Sequence, residues 1–333
     1  MTIQDVAHEA GVSTATVSRV LNGAGNVDPE LARRVRDAVE ASGYVLNTNG
    51  RALRRQVSDV WAAIVSDVQN AFFTTMVSAL ESVASRQGYS VMLCNSDEQP
   101  AREHEYIQAA IAQRMAGVVL AAASESGTDL RPLEAARIPT VLVDRRVHGY
   151  DGDSIFVDNR LAGRMAAEHL IAAGHERMAC IAGPADVSTT EDRLDGFRET
   201  LKKAGRPLPA HAYQRANLRP EGGEVAMRSL LAATPRPDAV FVTNGPLTAG
   251  AYRAIHALGL RMPEDIALVG VDDDFWTQMV APRVTVIQQP VAQLGSLAAE
   301  LLLSRSAGSE SAPQHLVLQP QLLVRASSSV SRH

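Results

Sequence analysis

The spacing of apolar residues along the chain changes near residue 60. Before that point, apolar residues recur three or four positions apart, as they do on the buried face of amphipathic helices. After it, short continuous apolar runs such as VWAAIV (60–65) alternate with helical stretches. Continuous apolar strands separated by helices are typical of parallel sheets that helices cover on both faces. The pattern therefore predicts an all-helical front and a larger α/β part.

The helical front is predicted to contain three short helices. Thr2 and Asp5 have the spacing of a capping box at the start of the first helix, and Gly11 is suited to end that helix. Ser13 can cap the second helix, and Asp28, which precedes a proline, can cap the third. Two short helices joined by a tight turn and braced by a third are the helix-turn-helix arrangement.

The second helix lies in the stretch GVSTATVSRVLNG (11–23) and has two different faces. Val17, Val20 and Leu21 share one face, which can hold the helix against its neighbours. The other face carries small hydroxyl side chains and one cation, Arg19, and such groups can bond phosphates or base edges in the major groove of DNA. The pattern alone leaves open a second interpretation, in which this is a capped surface helix of a small bundle.

A polar stretch, residues 46–58, follows the three helices, and three arginines surround Leu53 in it. Residues 1–56 carry seven arginines and six acidic residues, whereas the whole chain has a formal charge of −5. A local cluster of cations matters more for phosphate binding than the total charge. The stretch is a linker in one interpretation. In the other, it forms a helix only on DNA and inserts Leu53 into a base step.

The alternation of strands and helices runs twice, to about Asp158 and again to about Asp272. Two doubly wound lobes with parallel sheets fit this repetition. The predicted boundaries are 1–46 for the helix-turn-helix domain, 47–58 for the linker or hinge, 59–326 for the two-lobed domain and 327–333 for a disordered Ser-rich tail. The first lobe is expected over about 59–158 and 288–318, and the second over about 159–287 and 319–326.

Composition narrows the possible functions. Cys94 and Cys180 lie far apart in apolar runs, which excludes a disulfide framework and a cysteine-based zinc site. No stretch contains the roughly 18 consecutive apolar residues of a membrane span, and the N-terminus lacks the cationic start and apolar block of a signal peptide. We therefore expect a cytoplasmic protein with no membrane partner, and neither a cofactor nor a metal is indicated.

The front of the chain resembles the DNA-binding headpiece and hinge of the lactose/galactose-repressor (LacI/GalR) family. The resemblance rests on TIQDVAHEAGVSTATVSRVLNG, VDPELARRVRDAVEASGYVLN and RALR, and it continues through VSDVQNAFF, VDRRV, DRLDGF and VGVDDD to the end of the chain. It implies a homodimer that binds a palindromic double-stranded DNA operator. It also implies that the α/β part is similar to periplasmic sugar-binding proteins and binds a small-molecule effector.

The resemblance assigns particular residues of the headpiece and hinge to DNA. The residues implied to contact DNA are Ser13, Thr14, Ala15, Thr16, Ser18, Arg19, Asn22, Asn26, Arg51 and Leu53. Among them, Thr14, Ala15 and Arg19 are placed to read bases. Leu53 matches the side chain that enters the minor groove, one from each protomer.

Polar residues follow several of the predicted strands, where ligands of doubly wound sheets bind. Carried over position by position, the resemblance implies an effector site formed by Asn70, Phe72, Phe73, Asp144, Arg145, Arg193, Asn244, Asp272 and Gln289. Carboxylates, guanidinium groups and amides suit sugar hydroxyls, which both donate and accept hydrogen bonds. The set looks most like the sites for pentoses such as ribose.

Four positions depart from the pentose pattern or leave its details open. Ala121–Ala123 end the third strand where ribose-binding relatives place a polar side chain, and Leu218 stands near the place of an aromatic residue. Gly245 replaces the usual Asp. Trp276 could close over a ligand or pack on the lobe surface, and the predicted aromatic and charged residues could instead serve packing and internal ion pairs.

The predicted function is that of a sequence-specific DNA-binding transcriptional repressor that a small sugar releases from its operator. Alternatives are a regulator of the same family that responds to a non-sugar corepressor, a cytoplasmic sugar-binding protein, and an enzyme. An enzyme is disfavoured because the chain has no G-x-G-x-x-G after its first long strand, no phosphate-binding P-loop motif and no G-x-S-x-G elbow.

Gly50 gives the first testable prediction, because it occupies a hinge position where the family usually has a helix former. Glycine costs about 1 kcal/mol relative to alanine in a helix, and a dimer contains two hinges. We expect Gly50→Ala to tighten operator binding and to blunt release by the effector. A fluorescence titration of operator DNA measures both effects, and an unchanged affinity would contradict the prediction.

Overall fold

The peptide link between Ser58 and Asp59 separates two compact units of the chain. The structure, a computed structural model, describes residues 2–21, 27–44 and 58–329. The helices of the first unit are α1 (Ile3–Ala10), α2 (Thr14–Leu21) and α3 (Pro29–Ser42). The second unit contains the α/β part, and each unit has its own hydrophobic core.

The predicted helix starts in the first unit are confirmed. The Thr2 side chain accepts a hydrogen bond from the N–H of Asp5, whose carboxylate accepts in return from the N–H of Thr2 at 2.6 Å. The N–H of Thr16 donates to Ser13 Oγ at 3.2 Å at the start of α2. Asp28 accepts from two N–H groups in the first turn of α3. These side chains satisfy donors that a helix N-terminus leaves without backbone partners.

The turn between α1 and α2 favours glycine at position 11. Gly11 has a φ of 62°, a left-handed conformation that side chains disfavour. A Cβ atom there would also lie 2.3 Å from a guanidinium nitrogen of Arg34, which donates a hydrogen bond to the carbonyl of Ala10. Arg34 thereby ties α3 to the end of α1. The core between the three helices consists of Val6, Ala7, Ala10, Val17, Val35 and Ala38.

Two six-stranded sheets form the framework of the second unit. The strands of the first sheet are β1 (Val60–Val65), β2 (Ser90–Asn95), β3 (Gly117–Leu120), β4 (Thr140–Val143), β5 (Ser154–Val157) and β11 (His315–Leu318). The strands of the second are β6 (Met178–Ala182), β7 (Tyr213–Arg215), β8 (Ala239–Val242), β9 (Ala267–Val271), β10 (Thr285–Gln288) and β12 (Gln321–Leu323).

Both sheets are doubly wound, as the sequence predicts. The first has the order β11-β5-β4-β3-β1-β2 with parallel pairing throughout. The second has the order β12-β10-β9-β8-β6-β7, and only β12 pairs antiparallel, with β10. Most of the central strands are fully buried, which explains their continuous apolar sequences.

Helices cover both faces of each sheet. Those of the second unit are α4 (Ala71–Arg86), α5 (Pro100–Ala112), α6 (Arg131–Ala135), α7 (Asn159–Ala172), α8 (Ser188–Lys203), α9 (Pro220–Leu231), α10 (Gly245–Ala257), α11 (Phe275–Met279) and α12 (Val291–Ser306). The first sheet with α4, α5, α6 and α12 is called the N-lobe, and the second sheet with α7 to α11 is called the C-lobe. The chain crosses between the lobes after β5, after β10 and after β11.

Three helix pairs approach so closely that a side chain cannot fit at the crossing. A Cβ atom on Gly163 of α7 would lie 1.9 Å from the carbonyl oxygen of Arg193 in α8. A Cβ atom on Gly250 of α10 would lie 1.8 Å from a backbone oxygen of α9. A Cβ atom on Gly295 of α12 would lie 2.2 Å from a backbone oxygen of α4. Glycine at each of these three crossings therefore permits the short distance between the two helices.

The last described residues are ordered, which corrects the prediction of a disordered tail from residue 327. Ser327 and Ser328 are fully buried. Ser327 Oγ donates to the carbonyl of Leu268 at 2.6 Å and accepts from the N–H of Thr285 at 2.8 Å. Composition misleads here because buried serines satisfy their hydroxyls inside the C-lobe. Residues 330–333 lie outside the described residues.

The α7–α8 crossing gives a stability prediction for Gly163→Ala. Helix propensity alone would stabilise the variant by about 1 kcal/mol. We expect the opposite sign, a loss of about 1–3 kcal/mol, because the new methyl group cannot fit against the α8 backbone. Urea unfolding followed by tryptophan fluorescence measures the difference. Arg164→Ala, on the exposed face of the same helix, is the control, and a stabilised Gly163→Ala would contradict the close crossing.

Candidate DNA-binding face and ligand cavity

Helix α2 presents the predicted polar face to solvent. Ser13, Thr14, Ala15 and Arg19 are exposed, and Thr16 and Ser18 are half-buried. Val17 on the opposite side is completely buried in the three-helix core. Val20 and Leu21 pack beside it, so the apolar and polar sides of α2 separate as the sequence predicts.

Four of the predicted DNA-contacting residues lie outside the described residues. They are Asn22, Asn26, Arg51 and Leu53. Gly50 and the greater part of the predicted hinge, residues 47–57, lie outside them as well.

All nine predicted effector-binding residues line one cavity between the lobes. The N-lobe contributes Asn70, Phe72, Phe73, Asp144 and Arg145, the C-lobe contributes Arg193, Asn244 and Asp272, and the crossover after β10 contributes Gln289. Eight of them are buried, and the Asp144 side chain is 10% exposed. The cavity lies at the carboxyl ends of the strands of both sheets, where doubly wound folds hold their ligands.

Short polar residues at the strand ends shape the cavity wall. Asp144 follows β4 with a φ of 65°, and Asp272 follows β9 with a φ of 72°. This left-handed conformation is costly for a non-glycine residue and is concentrated at functional sites. Asn70 and Asn244 cap α4 and α10, because their side-chain oxygens accept hydrogen bonds from backbone N–H groups in the first helical turns.

Arg193 is the centre of a buried hydrogen-bond network. Its Nε donates to Asn159 at 2.7 Å, its Nη1 to the Thr243 carbonyl at 2.9 Å and its Nη2 to Gln289 Oε1 at 2.9 Å. Gln289 Nε2 in turn donates to Asp272 Oδ1 at 2.7 Å. The network joins α8, the end of β8 and the crossover after β10, so it fixes the C-lobe wall of the cavity.

Arg145 forms a forked ion pair with Glu98. Nη1 and Nη2 of Arg145 donate to the two carboxylate oxygens of Glu98 at 2.6 and 2.8 Å, and Nη1 also donates to the carbonyl of Ala122. Asp144 is more distant, with 3.7 Å between its Oδ2 and Nε of Arg145. Within the described part of the chain, this Nε is buried without a hydrogen-bond partner.

Burial raises the pKa values of both strand-end carboxyl groups. It raises the pKa of Asp272 to about 6, although the nearby Arg193 guanidinium and the hydrogen bond from Gln289 act in the opposite direction. It also raises the pKa of Asp144, against the opposing effect of Arg145 and Arg193. Removal from water disfavours the ionised form of a carboxyl group unless hydrogen bonds and cations compensate fully.

The structure gives the surroundings of three positions at which the chain departs from the pentose pattern or leaves its details open. A Cβ atom on Gly245 would lie 2.9 Å from Asp272 Oδ2, so glycine lets this carboxylate approach the N-terminus of α10. Leu218 lines the cavity. Trp276 packs edge-on against Tyr252 with 5.6 Å between ring centroids and is not among the residues that line the cavity.

The carboxylates of Asp272 and Asp273 have different partners. Asp272 accepts from Gln289, whereas Asp273 pairs with Arg325 at 2.7 Å. Among the described residues, no group of three or more His, Cys, Asp or Glu side chains is arranged to hold a metal ion.

No described helix is both long and apolar enough to cross a membrane.

Sequence reasoning missed three polar residues of the cavity wall. Asp67 and Glu98 follow β1 and β2, and Thr189 lies in the first turn of α8. Asp67 and Glu98 stand in VSD and NSDE, directly after apolar runs. Both share with Asp144 and Asp272 a position directly after a predicted strand, and this position was a usable signal. Thr189 carries no comparable signal.

Comparison with known proteins identifies the family of the chain. Residues 2–47 match bacterial regulatory proteins of the lacI family, and residues 167–328 match a periplasmic binding protein-like domain. The chain is 32% identical over 327 residues to the ribose operon repressor of Escherichia coli strain K12, covering 98% of this chain and 99% of the relative.

Two solved structures share the complete architecture. The lac repressor dimer bound to operator and the anti-inducer ONPF is 27% identical with a TM-score of 0.86, covering 99% of each chain. The complex of the transcriptional regulator CelR with cellobiose is 32% identical with a TM-score of 0.75, covering 98% of this chain and 99% of that one. These matches confirm the predicted fold class and the predicted family. The chain belongs to the LacI family of bacterial regulatory proteins.

Proposed function

We propose that this chain is a ligand-controlled transcriptional repressor that binds operator DNA through α2 and a small neutral sugar through the cavity between its lobes. The observation that carries the proposal is the convergence of nine predicted residues, from both lobes and a crossover, on one cavity. The same chain has a helix-turn-helix whose second helix presents hydroxyl groups and Arg19 to solvent. A sensor and a DNA-reading unit in one chain are what a ligand-controlled regulator requires.

The charges of the cavity favour a neutral ligand over a phosphorylated one. Two guanidinium groups, those of Arg145 and Arg193, face four carboxyl groups, and one carboxylate already holds Arg145 in a forked pair. An added phosphate would meet an excess of negative charge. Sugar hydroxyls instead can donate to carboxylates and accept from the unpaired Nε of Arg145.

A pentose such as ribose is the effector that we favour. Phe72 and Phe73 lie edge to face with 5.1 Å between their ring centroids, and aromatic rings suit the apolar face of a sugar. The relationship to the ribose operon repressor supports a pentose, and the cellobiose complex of CelR supports a sugar more generally.

We infer that the operator is a palindrome bound by a homodimer, and the structure of the lac repressor dimer bound to operator supports binding as a dimer. In the proposed switch, sugar binding changes the angle between the lobes and hence the spacing of the two headpieces. The coupling between sugar and operator corresponds to about 1–3 kcal/mol of differential affinity. The relatives are transcriptional regulators, which supports a binding role for the cavity and not a catalytic one.

Release of operator DNA by D-ribose is the main prediction. We expect saturating D-ribose to weaken binding to a palindromic duplex from the upstream region of the gene by about 5- to 150-fold. Ribose 5-phosphate should act weakly. Fluorescence anisotropy measures the binding, and a response to no sugar, or to the phosphate alone, contradicts the proposal.

Two variants separate the DNA-binding and sensing functions. Arg19→Ala should lose about 1–3 kcal/mol of specific operator affinity, because a bidentate contact to a base is worth that much, while sugar binding stays intact. Asp144→Ala should bind the operator normally and no longer respond to sugar. Loss of both functions in either variant would indicate misfolding, which thermal unfolding detects.

The raised pKa of Asp272 predicts that sugar affinity depends on pH. A carboxylate that accepts a sugar hydroxyl must be ionised, and burial raises the pKa of Asp272 to about 6. Affinity should therefore fall about tenfold from pH 7.5 to about pH 5, since that is one unit below the pKa. Asp272→Asn should bind weakly, and its affinity should depend less on pH than that of the wild type. Calorimetry at both pH values measures the change, and a flat wild-type profile rules out this role for Asp272.

A further inference from the structure

Arg219 connects the two lobes beside the cavity. It is the residue before α9 in the C-lobe. Its Nη1 donates to Asp67 Oδ2 at 2.6 Å and its Nη2 donates to Asp97 Oδ1 at 2.6 Å. Asp67 follows β1 and Asp97 follows β2, so both carboxylates belong to the N-lobe. We call these three residues the Arg219 bridge.

The acceptors of the Arg219 bridge are held in place by the N-lobe itself. The side-chain oxygen of Asn95, at the end of β2, accepts from the N–H of Val68 at 3.2 Å and from the N–H of Asp97 at 3.3 Å. These two bonds tie the loop after β1 to the loop after β2. Asp67 Oδ1 also accepts from the N–H of Gln69 at 2.9 Å. The two carboxylates therefore stay close together whether or not the C-lobe supplies a cation.

The Arg219 bridge lies next to the effector cavity. Asp67 is only 5% exposed and lines the cavity, and Leu218, the neighbour of Arg219, lines it as well. A forked pair between a guanidinium group and two carboxylates is stronger than neutral hydrogen bonds. Partial exposure of Arg219 and Asp97 moderates its strength through screening.

A second ion pair between the lobes is more exposed to solvent, and screening weakens it. Arg146 of the N-lobe donates to Asp192 of α8 at 2.8 Å, but the Arg146 side chain is 55% exposed. Asp192 also has another cation, Arg160, at 3.7 Å within the C-lobe. Opening the lobes leaves Asp192 with Arg160, and it leaves Asp97 with Arg102, whose Nη1 lies 3.6 Å from Asp97 Oδ2. It takes from Asp67 the cation that the Arg219 bridge provides.

We propose that Arg219 is a positioning residue that determines how long the effector stays bound. This inference rests on the proposed function, because it concerns the sugar in the same cavity. The sugar leaves only when the lobes separate, and separation breaks both hydrogen bonds of the bridge and exposes two adjacent carboxylates. The bridge therefore slows dissociation of the sugar. Association also requires open lobes, so loss of the bridge does not slow it.

Sugar dissociation from Arg219→Met tests the proposal directly. Methionine keeps an unbranched chain and removes the charge. We expect D-ribose to dissociate about tenfold faster in stopped-flow measurements, equivalent to about 1.4 kcal/mol, with an association rate equal to or higher than that of the wild type. Dissociation from the wild type should accelerate between about 50 and 500 mM salt, and the variant should lose this dependence.

Arg131→Met is the matched control. Nε and Nη2 of Arg131 donate to the two carboxylate oxygens of Asp129, each at 2.8 Å, and both residues belong to the N-lobe. Its removal should leave both sugar rates and their salt dependence unchanged. Equal effects of the two variants, or a wild-type dissociation rate in Arg219→Met, would overturn the proposal.

A double-mutant cycle with Asp97→Asn separates the bridge from general damage to the fold. Asp97 is not among the residues lining the cavity, so its loss removes no sugar contact. The double variant should accelerate sugar dissociation by less than the product of the two single-variant fold-changes, because Asp97→Asn and Arg219→Met break the same ion pair. Independent, multiplying effects would contradict the bridge.

A measurement without sugar keeps this inference separate from the proposed function. Ser126 of the N-lobe and Asp186 of the C-lobe are exposed, whereas the native Cys94 and Cys180 are buried. Nitroxide labels on Ser126→Cys and Asp186→Cys, in protomers diluted with unlabelled chain, report the distance between the lobes. Adding Arg219→Met should shift the distribution to longer distances. An unchanged distribution refutes the bridge, whereas failure of every sugar to bind refutes only the proposed effector.

Discussion

The buried guanidinium group of Arg193 is the constraint on which the ligand cavity depends. Taking a charged group out of water costs several kcal/mol unless hydrogen bonds and nearby charges compensate. Arg193 is 3% exposed, so its donors need fixed acceptors. Asn159, the Thr243 carbonyl and Gln289 supply them. The position of Arg193 thereby fixes two helices, the end of a central strand and a crossover between the lobes.

The close crossing of α7 and α8 places Arg193 at the required depth. Gly163 contacts the α8 backbone at the carbonyl of Arg193 itself, so the absence of a side chain on α7 brings the guanidinium group into reach of Asn159. Gln289 passes the constraint on to Asp272. The helix packing and the hydrogen bonds of the cavity therefore depend on each other. A change in the spacing of α7 and α8 would move Arg193 and so alter the cavity wall.

Much of the fold and most of the cavity could be predicted because they depend on local signals. Caps such as Thr2 and Asp28 act on backbone groups within the next few residues, so their effect is visible in sequence. The family resemblance implied Asp144 and Asp272, and their proximity could be expected because parallel strands bring their carboxyl ends to one edge. Once the strands are recognised, the residues that directly follow neighbouring strands in the sequence are expected to lie near each other.

Other features could not be predicted, because they depend on distances between residues far apart in the chain. The need for glycine at Gly163 and the pairing of Glu98 with Arg145 appear only when the helices and loops are packed. Ser327 and Ser328 have the composition of a disordered tail, yet their hydroxyl groups find partners in the C-lobe. Tertiary hydrogen bonds overrule composition in such cases.

A crystal structure of the chain with D-ribose tests the central claim most directly, namely that the cavity between the lobes is the effector site. The account predicts the pentose between the lobes, with hydroxyl groups on Asp144 and Asp272 and the ring beside Phe72. It also predicts that the hydrogen bonds of Arg193 to Asn159 and the Thr243 carbonyl are kept. A cavity that stays empty at saturating pentose, or a sugar bound elsewhere on the chain, would contradict it.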